Sequence, residues 1–156
     1  MKKVFAGVSS SSVVPAGMGR SQELFILMFL LRGLPFVDLA YLRKSDLRDH
    51  VITYRRRKTG RSLSVTVTPE AMAILKKYIS RDDTSPYLFP LLKSGEGTKE
   101  AYREYQSALR SFNQQLMLLG EWLALNDRLS SYTARHTWAT TAYHLSLIHI
   151  SEPTRR

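Results

Sequence analysis

The segment that most restricts how this chain can fold is Leu24–Leu31, where every residue is apolar. A helix with nonpolar side chains on all sides must be buried inside a domain. The segment cannot span a bilayer, because a membrane helix needs about 20 apolar residues. We expect the helix to open at Ser21, whose hydroxyl can cap free amides, with Glu23 at the positive end of the helix dipole. Gly33 and Pro35 predict its end.

Other patterns surround this central helix, and at 156 residues the chain has room for one domain. Two β-rich runs flank a turn that contains Gly60, which predicts a β-hairpin with Leu63, Val65 and Val67 on one face. Further helices are predicted at 36–42, at 70–79 after Pro69, at 98–125 and at 130–144. Phe112, Trp122 and Trp138 are predicted core aromatics. The predicted fold class is α+β, mostly helical, with a small antiparallel sheet.

The charge of the chain is concentrated in its first half. Residues 1–67 carry 12 basic and 4 acidic residues, whereas residues 68–156 carry 11 and 9, within a formal net charge of +10. Such a balance favours a polyanionic partner, with nucleic acid before a membrane surface. The chain has no cysteine, which excludes disulfides, cysteine-ligated metals and a thiol nucleophile. His136 and His144 have no carboxylate cluster beside them, so no metal site is expected.

The predicted hairpin carries the densest basic cluster, formed by Arg55, Arg56, Arg57, Lys58 and Arg61. Side chains alternate along a strand, so Arg55 and Arg57 are expected on the face opposite Arg56 and Lys58. A ribbon of this kind can lie along a phosphate backbone. The alternative is a solvated, charged edge that prevents strands of different molecules from pairing.

Two further arginines are candidates for phosphate contacts. Arg135 and His136 lie at the predicted start of the last helix, where free amides favour an anion and an arginine fork can grip two phosphate oxygens. The alternative is an ion-paired Arg135 beside a histidine packed in the core. Arg32 ends the apolar helix and could equally compensate the negative end of its dipole.

Three motifs, in order, resemble the catalytic domain of the tyrosine recombinases, the phage-integrase family. The first is Arg32-Gly33-Leu34-Pro35-Phe36-Val37-Asp38, the second is the hairpin around Lys58, and the third is Ser130 to Thr140 with Tyr132-Thr133-Ala134-Arg135. The resemblance covers about residues 20–144. It implies a truncated recombinase catalytic domain at 20–144, a linker at 1–19 and a tail at 145–156.

The resemblance also implies a chemistry without metal or cofactor. In the family, a tyrosine attacks a DNA phosphate, arginines stabilise the charge on its oxygens and a lysine protonates the leaving oxygen. It assigns catalytic roles to Arg32, Lys58, Tyr132 and Arg135. The DNA-binding set comprises Arg43, Lys44, Arg55, Arg56, Arg57, Arg61 and His136. The expected partner is double-stranded DNA, held by a homotetramer of the full-length protein in the cytoplasm, with no membrane association.

The sequence departs from the family pattern at the first arginine, at the usual histidine and at the nucleophilic tyrosine. Pro35 stands where the first arginine is usual, and Arg32 lies about one helical turn earlier. Tyr132 replaces the usual histidine, although a phenol is a poor general base at neutral pH. No Gly-His turn or nucleophilic tyrosine follows Arg135, and Tyr143 is expected to be a core or surface residue.

The segment from Leu145 to Arg155 resembles a translated sequencing adapter. We therefore expect a fragment that lacks the nucleophile and does not cleave DNA. The alternative is a non-catalytic basic module that binds nucleic acid.

Overall fold

The structure is a computed structural model that describes residues 14–15 and 17–151, with side chains as far as Leu145. It is mostly helical with one small antiparallel sheet, which confirms the predicted fold class. The helices are α1 (Met18–Leu30), α2 (Phe36–Tyr41), α3 (Pro69–Tyr78), α4 (Lys99–Trp122) and α5 (Ser131–Ser151). The strands are β1 (Leu47–Arg48), β2 (Val51–Arg55) and β3 (Ser62–Thr66), with a 3₁₀ turn at Lys44–Asp46 before β1.

Helix α1 is the central element of the domain, as its apolar sequence predicts. It packs against α3, α4 and α5, and the side chains of Phe25, Leu27 and Met28 are fully buried. The helix begins at Met18 and has no side-chain cap, so the predicted capping by Ser21 is wrong. Because the helix starts one turn earlier than expected, Ser21 faces the interior and is buried.

The sheet has the order β1-β2-β3, with both pairs antiparallel. The predicted hairpin is therefore confirmed, and the short β1 adds an edge strand. Ile52 and Tyr54 of β2 face the core together with Val65 of β3. Leu63, opposite Tyr54 and one pair away from the turn of the hairpin, is 36% exposed, so the prediction that it shares the core-facing side with Val65 and Val67 is wrong for this residue.

Threonine caps define the starts of two helices. The Thr68 hydroxyl accepts a hydrogen bond from the Ala71 amide of α3, and Pro69 takes the first helical position as predicted. The Thr98 hydroxyl accepts from the Ala101 amide of α4. Phe112 of α4 is a core residue, but Trp122 is 43% exposed. The prediction of a buried Trp122 is wrong, because this residue ends the helix beyond its packed face.

Helix α5 runs to Ser151, beyond the end predicted at His144. Residues 152–156 of the predicted tail lie outside the described residues, as do residues 1–13 and 16 of the predicted linker. Throughout the described part of the chain, no helix combines the length and the apolar character needed to cross a membrane.

The end of α1 touches the first turns of α5 at Gly33. This glycine is buried and has a φ of +69°, in the left-handed region. A Cβ atom at Gly33 would lie 3.2 Å from the Arg135 Cα and 3.3 Å from the Trp138 Cβ. A side chain at residue 33 would therefore press on the backbone of α5 and would also have to adopt a left-handed conformation, so this close approach favours glycine.

The contact at Gly33 predicts the effect of a substitution. Gly33→Ala should lower the free energy of unfolding by about 2 to 4 kcal/mol, since it adds a steric clash to a left-handed conformation. Gly60→Ala is the matched control, because Gly60 has a φ of +70° but no atom within 4 Å of a built Cβ. That variant should lose only about 1 kcal/mol. Urea unfolding of both variants measures the difference, and equal losses would contradict the close contact.

Candidate phosphate-binding site

The Arg135 guanidinium is held at the turn that follows α1. Its Nη1 donates a hydrogen bond of 3.1 Å to the Gly33 carbonyl oxygen, across 102 residues of sequence. The start of α5 is also attached to α4, because the Ser131 amide donates a hydrogen bond to Asn113 Oδ1 of α4 at 2.8 Å. The first and third motifs of the sequence therefore meet at one point.

Arg32 precedes Gly33 in this turn and adopts an unusual backbone conformation. Its φ is +60°, in the left-handed region that a residue with a side chain rarely occupies. The side chain is exposed, so it extends into solvent beside the Gly33–Arg135 contact. Strained conformations of this kind are concentrated at functional sites.

Asp38 of α2 joins this region to the hairpin. It is only 2% exposed, and its Oδ1 accepts a hydrogen bond of 3.0 Å from the Arg57 amide. Burial raises the pKa of the Asp38 carboxyl, although the Arg57 amide and the charges of Arg56, Arg57 and Arg135 act in the opposite direction. One carboxylate therefore lies in the field of three arginines, which leaves an excess of positive charge.

Two polar atoms in this region have no hydrogen-bond partner among the described residues. They are Asp38 Oδ2 and Arg56 Nε, and both are buried. Buried polar atoms are nearly always paired in folded proteins, so each exception requires an explanation. Burial also raises the pKa of the neighbouring Tyr54 hydroxyl, and the negative charge of Asp38 raises it further.

A second basic cluster lies beside the first and is bridged by Glu96. The carboxylate of Glu96 contacts Arg43 Nη2 at 2.5 Å and Arg57 Nη1 at 2.7 Å. The Arg57 guanidinium also lies over the Tyr41 ring, 3.7 Å from its centroid. Hydrogen bonds from Arg43 and Arg57 hold the pKa of the Glu96 carboxyl below its usual range.

The loop that carries Glu96 is anchored on both sides. Glu104 of α4 accepts hydrogen bonds from the Lys93 and Ser94 amides and from the Ser94 hydroxyl. The Tyr87 hydroxyl donates to the Ser94 carbonyl oxygen at 2.7 Å. Beyond Glu96, the Thr98 hydroxyl donates to the Gly95 carbonyl at 2.7 Å. The loop therefore holds Glu96 against the two arginines.

The other predicted site residues lie around these clusters. Lys58 lies in the exposed turn of the hairpin, where no hydrogen bond or ion pair within the described residues holds its amine. Arg61 is exposed at the other side of that turn, and Arg55 is exposed at the end of β2. Lys44 donates from Nζ to the Asp82 carbonyl at 2.5 Å. The structure thus does not join the proposed acid Lys58 to Arg135.

The aromatic residues of α5 are on its surface. Tyr132 is 69% exposed, and its ring lies 6.2 Å from the ring of His136, which is also exposed. A core position for His136 is thereby excluded. Tyr143 is exposed as well, within the range of positions expected for it. No group of three histidine, aspartate or glutamate side chains in the described residues could hold a metal ion.

The fold is similar to that of one solved recombinase structure. No protein-family model matches the chain, and no curated protein matches it. Among solved structures, the crystal structure of XerA recombinase matches over 91% of this chain with a TM-score of 0.57 and 19% sequence identity. The match covers 47% of the XerA chain, so this chain spans about half the length of that recombinase. The likeness shows a recombinase-like domain fold.

The anchoring of the loop by Glu104 predicts a pH-dependent contribution to stability. Amide hydrogen bonds lower the pKa of Glu104 from 4.5, so the folded state favours its ionised form. The stabilisation of the fold by Glu104 is therefore complete at pH values above the pKa that this carboxyl has in the unfolded chain. It is lost as the pH falls through the pKa that the carboxyl has in the folded chain. Glu104→Gln should reduce the free energy of unfolding at pH 7 by about 1 kcal/mol.

This difference between Glu104→Gln and the unmodified chain should shrink as the pH falls from 5 to 3. Thermal melts across that range measure it. Glu121→Gln, on the exposed side of the same helix, is the control and should change stability little. If the difference in stability between Glu104→Gln and the unmodified chain stays constant down to pH 3, the charge of Glu104 does not contribute to stability.

Proposed function

We propose that this chain supplies the DNA-phosphate-binding part of a site-specific recombinase that cleaves and rejoins DNA strands. The observation that carries the proposal is the hydrogen bond between Arg135 and the Gly33 carbonyl. It joins two motifs that the sequence separates by 102 residues, and each of them carries an arginine to which the family resemblance assigns a phosphate contact. The recombinase-like fold supports the same function.

The residues fit the chemistry of such a site. Arg135 of α5 donates to the carbonyl of Gly33, the residue that follows the exposed Arg32. In this proposal the two guanidinium groups contact the non-bridging oxygens of one DNA phosphate. Arg56 and Arg57 extend the positive charge towards the hairpin, and Asp38 anchors the hairpin backbone. In this proposal Lys58 reaches the leaving oxygen when the exposed turn closes on DNA. A tetrameric assembly stays a prediction of the resemblance, and a cytoplasmic location stays a prediction from the sequence.

Binding to a short DNA duplex tests the phosphate site. Arg135→Ala should weaken binding about tenfold, because a charge-assisted contact to phosphate is lost. It should also reduce the slope of log K against log salt by about 0.9, the value for one phosphate. Arg135→Lys keeps the charge but not the fork, so it should restore only part of the affinity. Fluorescence anisotropy at several salt concentrations gives both quantities.

Arg103→Ala is the matched control for this experiment. Arg103 is an exposed arginine of α4, outside the basic clusters, and its removal changes the net charge equally. Its effect on DNA binding should stay below about twofold. Circular dichroism checks that every variant is folded. If Arg103→Ala and Arg135→Ala weaken binding equally, the interaction follows net charge alone and the proposed site is wrong.

Strand cleavage separates the recombinase from a non-catalytic nucleic-acid-binding module. When the protein is expressed from the complete reading frame of its source, a recombinase forms a covalent adduct with duplex DNA. Arg135→Ala should abolish that adduct under conditions in which the protein is still bound to DNA. Denaturing electrophoresis of labelled duplex detects it. Binding without any adduct would support the non-catalytic module.

A further inference from the structure

The Glu96 carboxylate bridges two arginines that are distant from it in the sequence. It spans Arg43 and Arg57, at 2.5 and 2.7 Å, and so uses donors from the 3₁₀ turn region and from the hairpin turn. These two arginines come from parts of the chain that are 53 and 39 residues away from Glu96. A carboxylate held between two guanidinium groups has the geometry with which arginines also bind phosphate.

The arginines remain accessible despite this internal partner. The Arg43 side chain is 46% exposed and that of Arg57 is 33% exposed, so water and a ligand can reach both. Ion pairs at such exposed positions contribute little stability, since the charges are well solvated and screened. A polyanion with several phosphates can therefore displace one carboxylate from them.

The arginine fork of Arg57 is oriented independently of Glu96. Its guanidinium lies over the Tyr41 ring at 3.7 Å, and its amide is fixed by Asp38 Oδ1. Contact with an aromatic face stabilises a cation and restricts its motion. Arg57 therefore keeps a defined position when the Glu96 carboxylate leaves.

The chain around Glu96 permits such a movement. Gly97, the next residue, has a φ of +85°, and a Cβ built on either Gly95 or Gly97 would meet no atom within 4 Å. The loop is anchored at Ser94 by Glu104 and at Thr98 by the start of α4, so the part between these anchors is short. Rotation about the two glycines can swing the Glu96 side chain outwards while both anchors stay in place.

A cavity of about 220 Å³ lies beneath the Glu96 bridge. Its charged lining residues are three arginines, Arg43, Arg55 and Arg57, and three acids, Asp38, Asp46 and Glu96. Of the three acids, Glu96 is the one whose carboxylate is ion-paired with both Arg43 and Arg57, so its departure leaves an excess of positive charge in the lining. When the carboxylate moves away, the guanidinium groups face a space that a phosphate group can enter.

We propose that Arg43 and Arg57 form a second phosphate-binding site for the nucleic-acid backbone, and that Glu96 is an internal competitor which the phosphate displaces. This inference rests on the proposed function, since that function supplies DNA as the polyanion. Glu96 thereby raises the phosphate concentration that is needed to bind Arg43 and Arg57. Isolated anions compete poorly with a carboxylate that is tethered beside these arginines. A duplex already bound at Arg135 presents its phosphates to them at high local concentration.

The test compares Glu96→Gln with the unmodified chain in binding to a short DNA duplex. Glu96→Gln should bind about three- to tenfold more tightly, because two exposed ion pairs no longer have to be broken. Glu100→Gln is the matched control, since it makes the same change in charge at an exposed residue of α4. It should stay within about twofold of the unmodified chain. The gain from Glu96→Gln should disappear in an Arg43→Ala/Arg57→Ala background.

Inorganic phosphate provides a second readout that does not require DNA. Calorimetry should detect phosphate binding to Glu96→Gln that is weaker or absent in the unmodified chain and absent in Glu96→Gln/Arg57→Ala. If Glu96→Gln binds duplex and phosphate no better than Glu100→Gln, the proposed competition is wrong. Weaker duplex binding by Glu96→Gln would also overturn it, and would make Glu96 an orienting partner of the arginines. Neither outcome changes the result expected for duplex binding by Arg135→Ala, which is the separate test of the proposed function.

Discussion

The close approach of α1 and α5 at Gly33 is the constraint on which the rest of the site depends. A residue without a side chain lets the Arg135 backbone come within contact distance, and the Arg135 guanidinium then donates to the Gly33 carbonyl. The same turn exposes Arg32 in a left-handed conformation. The buried helix α1 provides the rigid base for this contact.

Charge organises the rest of the surface around that contact. Asp38 is buried among the fields of Arg56, Arg57 and Arg135, and it ties the hairpin backbone to α2. Asp38 and Glu96 together supply two negative charges to Arg43, Arg56, Arg57 and Arg135, so this group of side chains keeps a net positive charge. Glu96 performs a related role at Arg43 and Arg57, but at an exposed position where the pairing is easily exchanged. The buried Asp38 thus positions the hairpin that carries the arginines. In our proposal, the exposed Glu96 competes with phosphate for Arg43 and Arg57.

Much of the fold follows from local sequence signals. The apolar run at Leu24–Leu31 and Pro69 predict their helices because each acts through neighbouring residues. Ser21 was misassigned because a serine suits a helix cap and a buried helix position equally well, and only the tertiary packing decides between them. Trp122 was misassigned because the periodic pattern of α4 does not reveal where its packed face ends.

The candidate site was harder to predict, because its decisive contacts are long-range. The basic residues could be listed from composition and motif, but no local pattern pairs Glu96 with Arg43 or Arg57. Asp38 gave one signal, as the one charged residue within the otherwise apolar run from Phe36 to Leu42. Glu96 gave another, as an acid between two glycines. Neither signal predicts which arginine contacts the acid, since this pairing depends on how loops from distant parts of the chain meet.

The central claim is that arginines distant in sequence form one surface for DNA phosphates. The most direct measurement follows the side-chain N–H signals of the arginines by NMR while a short duplex is added. We expect the signals of Arg43, Arg57 and Arg135 to shift together at low duplex concentration, with those of Arg103 and Arg110 unchanged. Shifts spread over all arginines in proportion to their exposure would contradict the claim, because they would show attraction by net charge without a defined site.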